Sequence, residues 1–144
     1  MFSKACEYAI RATIFIAEQS LQKNKVGQKA IAKAIDSPEA FTAKTLQKLT
    51  KNNVVTAHKG PNGGFYLSEA QLQTICLRNI VEAIDGDDLF VSCGLGLHKC
   101  NDKKPCPVHH QFKAIRDELT SMLQNTTVQH MAIQMKSGET YLKQ

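Results

Sequence analysis

The chain has 144 residues, 42% of them hydrophobic and 22% charged, a composition that predicts a folded protein and excludes wholesale disorder. No apolar run approaches the roughly 20 residues that a membrane span requires. Glu7 and Arg11 interrupt the apolar stretch near the start, which argues against an export signal and predicts a cytoplasmic protein. The five cysteines are an odd number, so a complete set of intramolecular disulfides is excluded.

The formal net charge of +5 is unevenly distributed along the chain. Up to Leu67 there are ten Lys and Arg against four acidic residues, a net charge of +6, whereas the remainder has eight against nine. A basic half joined to a nearly neutral half suits the binding of a polyanion on one side of the protein. A basic surface that is only solvated has the same composition, so charge alone does not distinguish the two.

Helical periodicity predicts three helices in the first half, over residues 4–21, about 27–35 and about 38–52. The third has the clearest start, because Ser37 can cap its free N–H groups and Pro38 fits the first helical position. Its lysines, at 44, 48 and 51, repeat on the outer face. A helix–turn–helix with such a face is typical of a DNA major-groove reader, although most antiparallel helix pairs are only structural.

A glycine-rich hairpin follows these helices directly. Residues 54–57 and 65–67 are predicted strands, and the intervening Lys59–Gly64 segment is dense in turn-forming residues. We interpret the hairpin as a wing in which Lys59 is placed to enter a DNA minor groove. Glycine-rich loops also bind nucleotides, but those loops lie between a strand and a helix, not between two strands.

The second half is predicted to hold a linker over 68–74, a helix over 77–85 that Gly86 ends, an irregular segment over 87–107 and a long helix over about 107–124. Apolar residues of the long helix recur at steps of four and three and form a narrow seam. They are Val108, Phe112, Ile115, Leu119 and Met122. A narrow seam favours a second copy of the chain as partner, the alternative being the chain's own first helix.

The irregular segment carries Cys93, Cys100 and Cys106, separated by six and five residues. Thiolates are soft ligands for iron–sulfur clusters, zinc or copper(I), and this spacing lacks the paired CxxC of a zinc ribbon. Iron–sulfur clusters take four ligands, so a fourth is needed. The alternative is a set of free thiols or a regulatory disulfide.

His109 is the nearest candidate for the fourth ligand, because it lies only three residues beyond Cys106. His98 inside the segment, His110 and the carboxylate of Glu7 are further candidates. The remaining cysteines, at 6 and 76, are predicted to be buried and unreactive.

The chain resembles the Rrf2 family of bacterial transcriptional regulators. The resemblance rests on Glu7–Ala12, the wing Lys59–Leu67, the stretch Ile80–Gly86 and the three cysteines, and covers roughly residues 2–132. It implies a mainly α fold with a small β-hairpin wing. It also implies a winged helix-turn-helix DNA-binding domain over 1–74, and a second region over 75–144 with the cysteine sensor loop (87–107) and a dimerisation helix.

The resemblance further implies a homodimer on a double-stranded DNA operator, with no enzymatic activity. In the cluster-binding members, an iron–sulfur cluster ([2Fe–2S] or [4Fe–4S]) on the three cysteines senses iron–sulfur, nitric oxide or redox status. One branch uses a histidine as the fourth ligand, which His109 matches, and another uses an acid from the opposite subunit, which Glu7 matches. The implied DNA-contact residues are Gln28, Ala40, Ala43, Lys44, Lys48, Lys59 and Asn62.

Two departures from the family pattern stand out. The first cysteine gap is one residue longer than usual, which bears on cluster type and retention. Ala40 and Ala43 replace polar base readers, which makes Lys44 the leading base-edge candidate and predicts a different operator. The sequence therefore predicts a regulator, most simply a repressor, with an iron–sulfur site. A cofactor-free, thiol-redox or metal-responsive regulator of the same fold is the alternative.

Overall fold

The computed structural model describes residues 1–143. Helices dominate this part of the chain, and its strands form one two-stranded antiparallel hairpin. The elements are α1 Lys4–Leu21, α2 Gln28–Ala34, α3 Glu39–Lys51, β1 Thr56–His58, β2 Gly64–Tyr66, α4 Glu69–Thr74, α5 Leu77–Asp85, α6 Asp88–Val91, α7 His109–Asn125 and α8 Val128–Ser137. Within residues 1–143, every helix falls short of the length and apolarity that a bilayer crossing demands.

Helix α1 lies at the centre of the fold because one of its faces consists largely of small residues. Ala9, Ala12, Ile16 and Ala17 are fully buried on that face. Small side chains at a contact reduce the distance at which two helices pack. Helices α2, α3, α5 and α8 all pack against α1, so one core joins elements from both halves of the chain.

Helices α2 and α3 form the predicted helix–turn–helix. Asp36 adopts a left-handed backbone conformation (φ 52°) in the turn between them. The predicted start of α3 is wrong by one residue, because Pro38 occupies the N-cap position with an extended ψ of 138° and no side chain caps the helix. Glu39 lies in the first turn, where its charge stabilises the positive end of the helix dipole.

Strands β1 and β2 form the predicted hairpin, with Ala57 opposite Phe65. Its tip requires glycine at two positions. A β-carbon on Gly63 would lie 2.1 Å from the carbonyl oxygen of His58, and Gly64 has a φ of +145°. Backbone sterics rather than side-chain contacts therefore determine the shape of the wing tip.

Strand β1 begins later than the sequence predicts. Val54 and Val55 are buried in the core, and the pairing with β2 begins only at Thr56. On the other side of the hairpin, Val26 exchanges two backbone hydrogen bonds with Phe65, at 3.0 and 2.7 Å. The wing is thus tied to the segment that precedes α2.

The segment predicted as a linker over 68–74 is instead the short helix α4. Ser68 and Gln71 form a capping box, in which the Ser68 hydroxyl accepts from the Gln71 N–H and the Gln71 side chain accepts from the Ser68 N–H. Gln71 also accepts a hydrogen bond from the hydroxyl of Thr56 (2.8 Å) and donates one to the carbonyl of Asn53 (3.0 Å). The helix therefore anchors the base of the wing.

In the second half, α5 ends at Gly86 as predicted, with a φ of +77°. The segment predicted as irregular contains the short helix α6, and α8 is a further helix that the sequence pattern did not predict. A second apolar cluster joins α1, α5, α6 and α7 through Cys6, Val81, Phe90 and Leu123. This cluster supports one side of the cysteine loop.

We expect Ser20→Ala to destabilise the protein by about 1–3 kcal/mol, the usual result of leaving a buried polar group unpaired. The buried Ser20 hydroxyl donates to the carbonyl of Ile16 (2.7 Å) and accepts from the N–H of Leu67 (2.9 Å), which follows β2. Without it, the Leu67 N–H lacks this acceptor in the core. Urea denaturation followed by circular dichroism measures the change in the free energy of unfolding.

The matched control is Thr74→Ala. The exposed Thr74 hydroxyl makes the same kind of bond to the carbonyl four residues back, to Ala70 (2.7 Å), so both variants gain similar helix propensity. The control should change stability by less than about 0.5 kcal/mol. Equal changes in the two variants would contradict the importance of the Ser20–Leu67 bond.

Candidate nucleic-acid interface and cysteine site

The outer face of α3 carries a row of long polar side chains. Lys44, Gln47, Lys48 and Lys51 line one shallow surface groove, and all four are exposed. Their spacing of three, four and seven residues places them on one side of the helix. The sequence analysis placed Lys44, Lys48 and Lys51 on this face but missed Gln47, although the same spacing identifies it. The row offers three ammonium groups and one amide to a polyanion.

The other helical candidates for DNA contact lie at helix starts. In the first two turns of α3, Ala40 is exposed and Ala43 is half-buried. Gln28 begins α2 and is half-buried, and its Nε2 donates to the carbonyl of Glu39 at 3.4 Å. This contact ties the start of α2 to the start of α3.

The wing carries its predicted polar residues at the tip, where Lys59 and Asn62 are both exposed. A further cation lies beside the hairpin, because the Lys25 ammonium is 5.3 Å from the centroid of the Tyr66 ring. The sequence analysis missed Lys25 as a candidate. No local pattern brings it to β2, since the pairing of Val26 with Phe65 is a long-range contact.

The cysteine loop connects α6 to α7, and it returns to the first residue of α7. The Cys100 Sγ lies 3.3 Å from Nδ1 of His109, and Nε2 of His109 lies 2.8 Å from a carboxylate oxygen of Asp102. The His109 residue is 3% exposed. Because an ionised carboxylate only accepts, Nε2 carries the proton in this contact, and in the matching neutral tautomer the lone pair of Nδ1 lies toward Cys100. The hydrogen bond from His109 also lowers the pKa of the Asp102 carboxyl.

Cys93 lies in a surrounding that favours its thiolate. Hydrogen bonds from the backbone N–H groups of Leu95 and Leu97 lower the pKa of the Cys93 thiol, with smaller contributions from Cys106 and from the positive charge of Arg116. Cys93 and Cys106 are therefore neighbours, like Cys100 and His109. Sequence spacing identifies the four residues but not how they pair.

The guanidinium of Arg116 lies between the two pairs. Its Nη1 donates to the carbonyl of Ser92 at 2.7 Å, and its Nη2 donates to the Cys100 Sγ at 3.4 Å. Sequence reasoning did not select Arg116, because α7 brings it to the loop only through tertiary packing.

The alternative candidates for the fourth ligand are all exposed. Glu7 is exposed on α1 and forms an ion pair with Lys4 at 3.1 Å. His98 is exposed within the loop, and the exposed His110 packs its ring edge-to-face on that of His109. Of the candidates for the fourth ligand, His109 is therefore the one with a described contact to a loop cysteine.

Cys6 and Cys76 are both buried, as predicted. Burial, aided by the negative charge of Asp85, raises the pKa of the Cys6 thiol to about 12. The Cys76 thiol donates to the side-chain oxygen of Asn79 at 3.1 Å. Both cysteines belong to the structural core and not to the loop site.

The donor types of the loop are ones that an iron–sulfur cluster takes. Thiolates and an imidazole are donors to such clusters, and here they form two neighbouring pairs. Within residues 1–143, no group of three or more His, Cys, Asp or Glu is gathered closely enough to hold one ion.

The seam of α7 is largely uncovered. Phe112, Ile115 and Met122 are 42%, 63% and 49% exposed, whereas Val108 and Leu119 are half-buried. The side of α7 that faces the chain's own core carries Leu123 and part of Leu119, in the cluster with Cys6. The predicted alternative, in which the seam packs on the first helix, thus holds only for the edge of the seam at Leu119.

The cysteine loop and the seam touch each other at Gly94. A β-carbon at Gly94 would lie 2.6 Å from the ring of Phe112, so the loop backbone rests directly on this seam side chain. Cys93, Ile115 and Leu119 line the same small surface depression. The site and the apolar seam are therefore one continuous surface.

Comparison with known proteins places these features in a family. The model of the Rrf2 family, described as iron-dependent transcriptional regulators, matches residues 2–134. An HTH-type transcriptional regulator of Aquifex aeolicus is 31% identical over 133 residues, which cover 91% of this chain and 90% of that protein. IscR of Pectobacterium atrosepticum, an HTH-type transcriptional regulator, is 24% identical over 124 residues, covering 86% and 74%.

Solved structures share the fold. The global cysteine regulator CymR of B. subtilis has a TM-score of 0.76 at 20% identity, covering 92% of this chain and 96% of that one. IscR of T. potens has a TM-score of 0.74 at 16% identity, covering 98% and 92%. The predicted mainly helical fold with its hairpin wing is confirmed. The chain therefore belongs to the Rrf2 family of transcriptional regulators, whose relatives named here are DNA-binding regulators and not enzymes.

Proposed function

We propose that this regulator is a homodimer that binds a double-stranded DNA operator, with an affinity set by an iron–sulfur cluster. The proposed ligands are Cys93, Cys100, Cys106 and His109. The observation that carries the proposal is the contact of 3.3 Å between Cys100 Sγ and His109 Nδ1, with His109 almost fully buried. His109 lies three residues beyond Cys106 in the sequence. The contact places it beside Cys100, which lies nine residues earlier in the chain.

The hydrogen bond between His109 and Asp102 supports a ligand role for the histidine. A partner that accepts a hydrogen bond from one ring nitrogen fixes the tautomer and leaves the other nitrogen free to coordinate. The Asp102 carboxylate does this at Nε2. Glu7 remains the alternative fourth ligand, and in that case it would come from the opposite subunit.

An iron–sulfur cluster, when bound, would supply a centre that responds to oxidation, nitric oxide and iron–sulfur supply. The protein's own part is to convert the state of the loop into a change of dimer geometry. Gly94 rests on Phe112 of the seam, so a shift of the loop backbone displaces a side chain of the proposed interface. The spacing of two recognition helices on successive major grooves depends on that interface.

The proposed DNA contacts combine α3 and the wing. Lys44, Lys48 and Lys51 present an exposed basic row, and Lys59 and Asn62 extend from the wing tip. We assign this function to residues 1–74, and the sensor and dimerisation functions to residues 75–144. A DNA operator and reduced thiols are both found in the cytoplasm, where we place the protein.

A thiol-redox switch is the second candidate. The lowered pKa of the Cys93 thiol and its neighbour Cys106 favour it, because a thiolate beside a second thiol is the arrangement that oxidises to a disulfide. Such a regulator would respond to oxidants without iron. The purified protein would be colourless. Peptide mass spectrometry of the oxidised protein would find a disulfide between Cys93 and Cys106 that a reductant breaks.

We expect protein reconstituted anaerobically to contain iron and sulfide and to absorb in the visible range. Cys100→Ala and His109→Ala should each bleach this absorption, since both remove a proposed ligand. Cys76→Ala, a change at a cysteine outside the loop, is the control and should retain it. Iron and sulfide analysis beside the spectrum measures the occupancy, and circular dichroism checks that each variant is folded.

A wild-type protein that holds neither iron nor sulfide would overturn the cluster. Glu7→Gln decides the fourth ligand: an absorption lost in this variant and kept in His109→Ala would assign the role to Glu7.

We expect Lys48→Ala to weaken binding to a DNA duplex of mixed sequence and to reduce the salt dependence of binding by about one unit of slope. Its ammonium lies in the middle of the exposed basic row of α3, where it can neutralise a phosphate. Fluorescence anisotropy at several salt concentrations measures both quantities. Lys136→Ala, on the exposed surface of α8, is the control. The same slope in Lys48→Ala as in wild type would exclude a phosphate contact.

We expect Ile115→Glu to convert the dimer into monomers. A carboxylate buried without a partner at the two-fold interface should cost about 3–5 kcal/mol for each charge. Sedimentation equilibrium measures the association constant. Ile133→Glu introduces the same change at an isoleucine of α8 that is 51% exposed, and it should leave the dimer intact. An Ile115→Glu protein with the wild-type sedimentation profile would show that the seam faces another surface.

A further inference from the structure

Arg116 makes contacts with the cysteine loop that the ligand assignment does not use. It lies on α7, seven residues and therefore two turns beyond His109, on the same face of the helix. Its two terminal nitrogens donate to the carbonyl of Ser92 and to the Cys100 Sγ. Its Nε is buried and has no hydrogen-bond acceptor within residues 1–143.

We propose that Arg116 is the positioning residue of the cysteine site, which holds the loop closed before a cluster is loaded and donates a hydrogen bond to the sulfur of the loaded site. The first part concerns the protein without a cluster. The second part rests on the function proposed above.

The role of Arg116 in holding the loop closed, which we call the tether, follows from the positions of its contacts with Ser92 and Cys100. Ser92 precedes Cys93, and Cys100 is paired with His109, so one guanidinium joins both pairs of proposed ligands to α7. The other described contacts between the loop and α7 are those of Cys100 and Asp102 with His109 and of Gly94 with Phe112, and none of them reaches Ser92. Lys99, Lys103 and Lys104 are exposed to solvent, and exposed charges contribute little to order.

The role in the loaded site follows from charge and from the unpaired donor. Three thiolates concentrate negative charge, and hydrogen bonds to cluster sulfurs raise the reduction potential because they stabilise the more negative, reduced state. The Nε–H of Arg116 is a donor already removed from water and without a partner within residues 1–143. A sulfur acceptor placed beside this N–H gives it a hydrogen-bond partner, and the free-energy cost of removing the N–H from water is not incurred again.

Arginine suits this role in a way that lysine does not. Its planar guanidinium has five N–H donors in a fixed fork, so it can bond to a carbonyl and a sulfur at once, whereas an ammonium is a single point charge. Arg116→Lys therefore keeps the charge and loses the bridge between Ser92 and Cys100. Arg116→Gln loses the charge as well, and the pair of variants separates the two contributions.

The first test uses the apo protein and limited digestion with trypsin. Cleavage after Lys99 or Lys103 reports how often the loop opens, since Pro105 blocks cleavage after Lys104. We expect Arg116→Gln to be cleaved there several-fold faster than wild type, and Arg116→Lys to be cleaved at an intermediate rate. Lys136→Gln is the control, since it removes one positive charge from the exposed surface of α8.

A thermal unfolding curve for each variant separates loop opening from a loss of global stability. Loop cleavage at the wild-type rate in Arg116→Gln would overturn the tether.

The second test uses the reconstituted protein and a spectroelectrochemical titration. We expect the midpoint potential of the cluster to be more negative in Arg116→Gln than in wild type, with Arg116→Lys closer to wild type and Lys136→Gln unchanged. An unchanged midpoint in Arg116→Gln would overturn the role in the loaded site.

The two tests separate this inference from the proposed function. A wild-type protein without iron disproves the cluster, and with it the second part of the inference, while the digestion still decides whether Arg116 closes the loop. A wild-type protein that loads normally, together with an Arg116→Gln variant that matches it in both tests, disproves the inference alone.

Discussion

The close packing of helices against the small-residue face of α1 is the constraint on which the rest of the structure depends. Ala9, Ala12 and Ala17 are fully buried, and α1 makes contact with α2 and α3 of the basic half and with α5 and α8 of the other half. A larger side chain at these positions would push apart helices that carry different functions. The recognition helix and the support of the cysteine loop therefore share one rigid core instead of being joined by a linker.

Helix α7 concentrates three roles on few residues. His109 begins it beside the loop, Phe112 lies under Gly94, and Arg116 reaches back to Ser92. These α7 positions are three, four and seven residues apart and so lie on one face of the helix. A rotation or shift of α7 therefore changes the proposed ligand geometry and the exposed seam together. A separate relay between sensor and interface is unnecessary in such an arrangement.

The sequence predicts what local physics determines and misses what tertiary packing determines. Helix α5 and its end at Gly86 follow from periodicity and the chemistry of helix C-caps, and the fold class was predicted correctly. The capping box of Ser68 and Gln71 is also a local signal, yet the sequence analysis predicts a linker over 68–74 and misses α4. Spacing made His109 a candidate beside Cys106, whereas its pairing with Cys100 and the approach of Arg116 depend on how the loop folds over α7.

In the proposed homodimer, the state of the cysteine loop and the covering of the seam are linked by thermodynamics in both directions. Leu95 and Leu97 of the loop are each more than half exposed, and so is Ile115 of the seam, so a single chain leaves apolar surface uncovered on both sides of the Gly94–Phe112 contact. A second copy that covers the seam also restricts the loop. If a bound cluster changes the association constant of the dimer by some factor, dimerisation must change the affinity for the cluster by the same factor. The concentration of the protein thus becomes part of the signal that such a regulator reads.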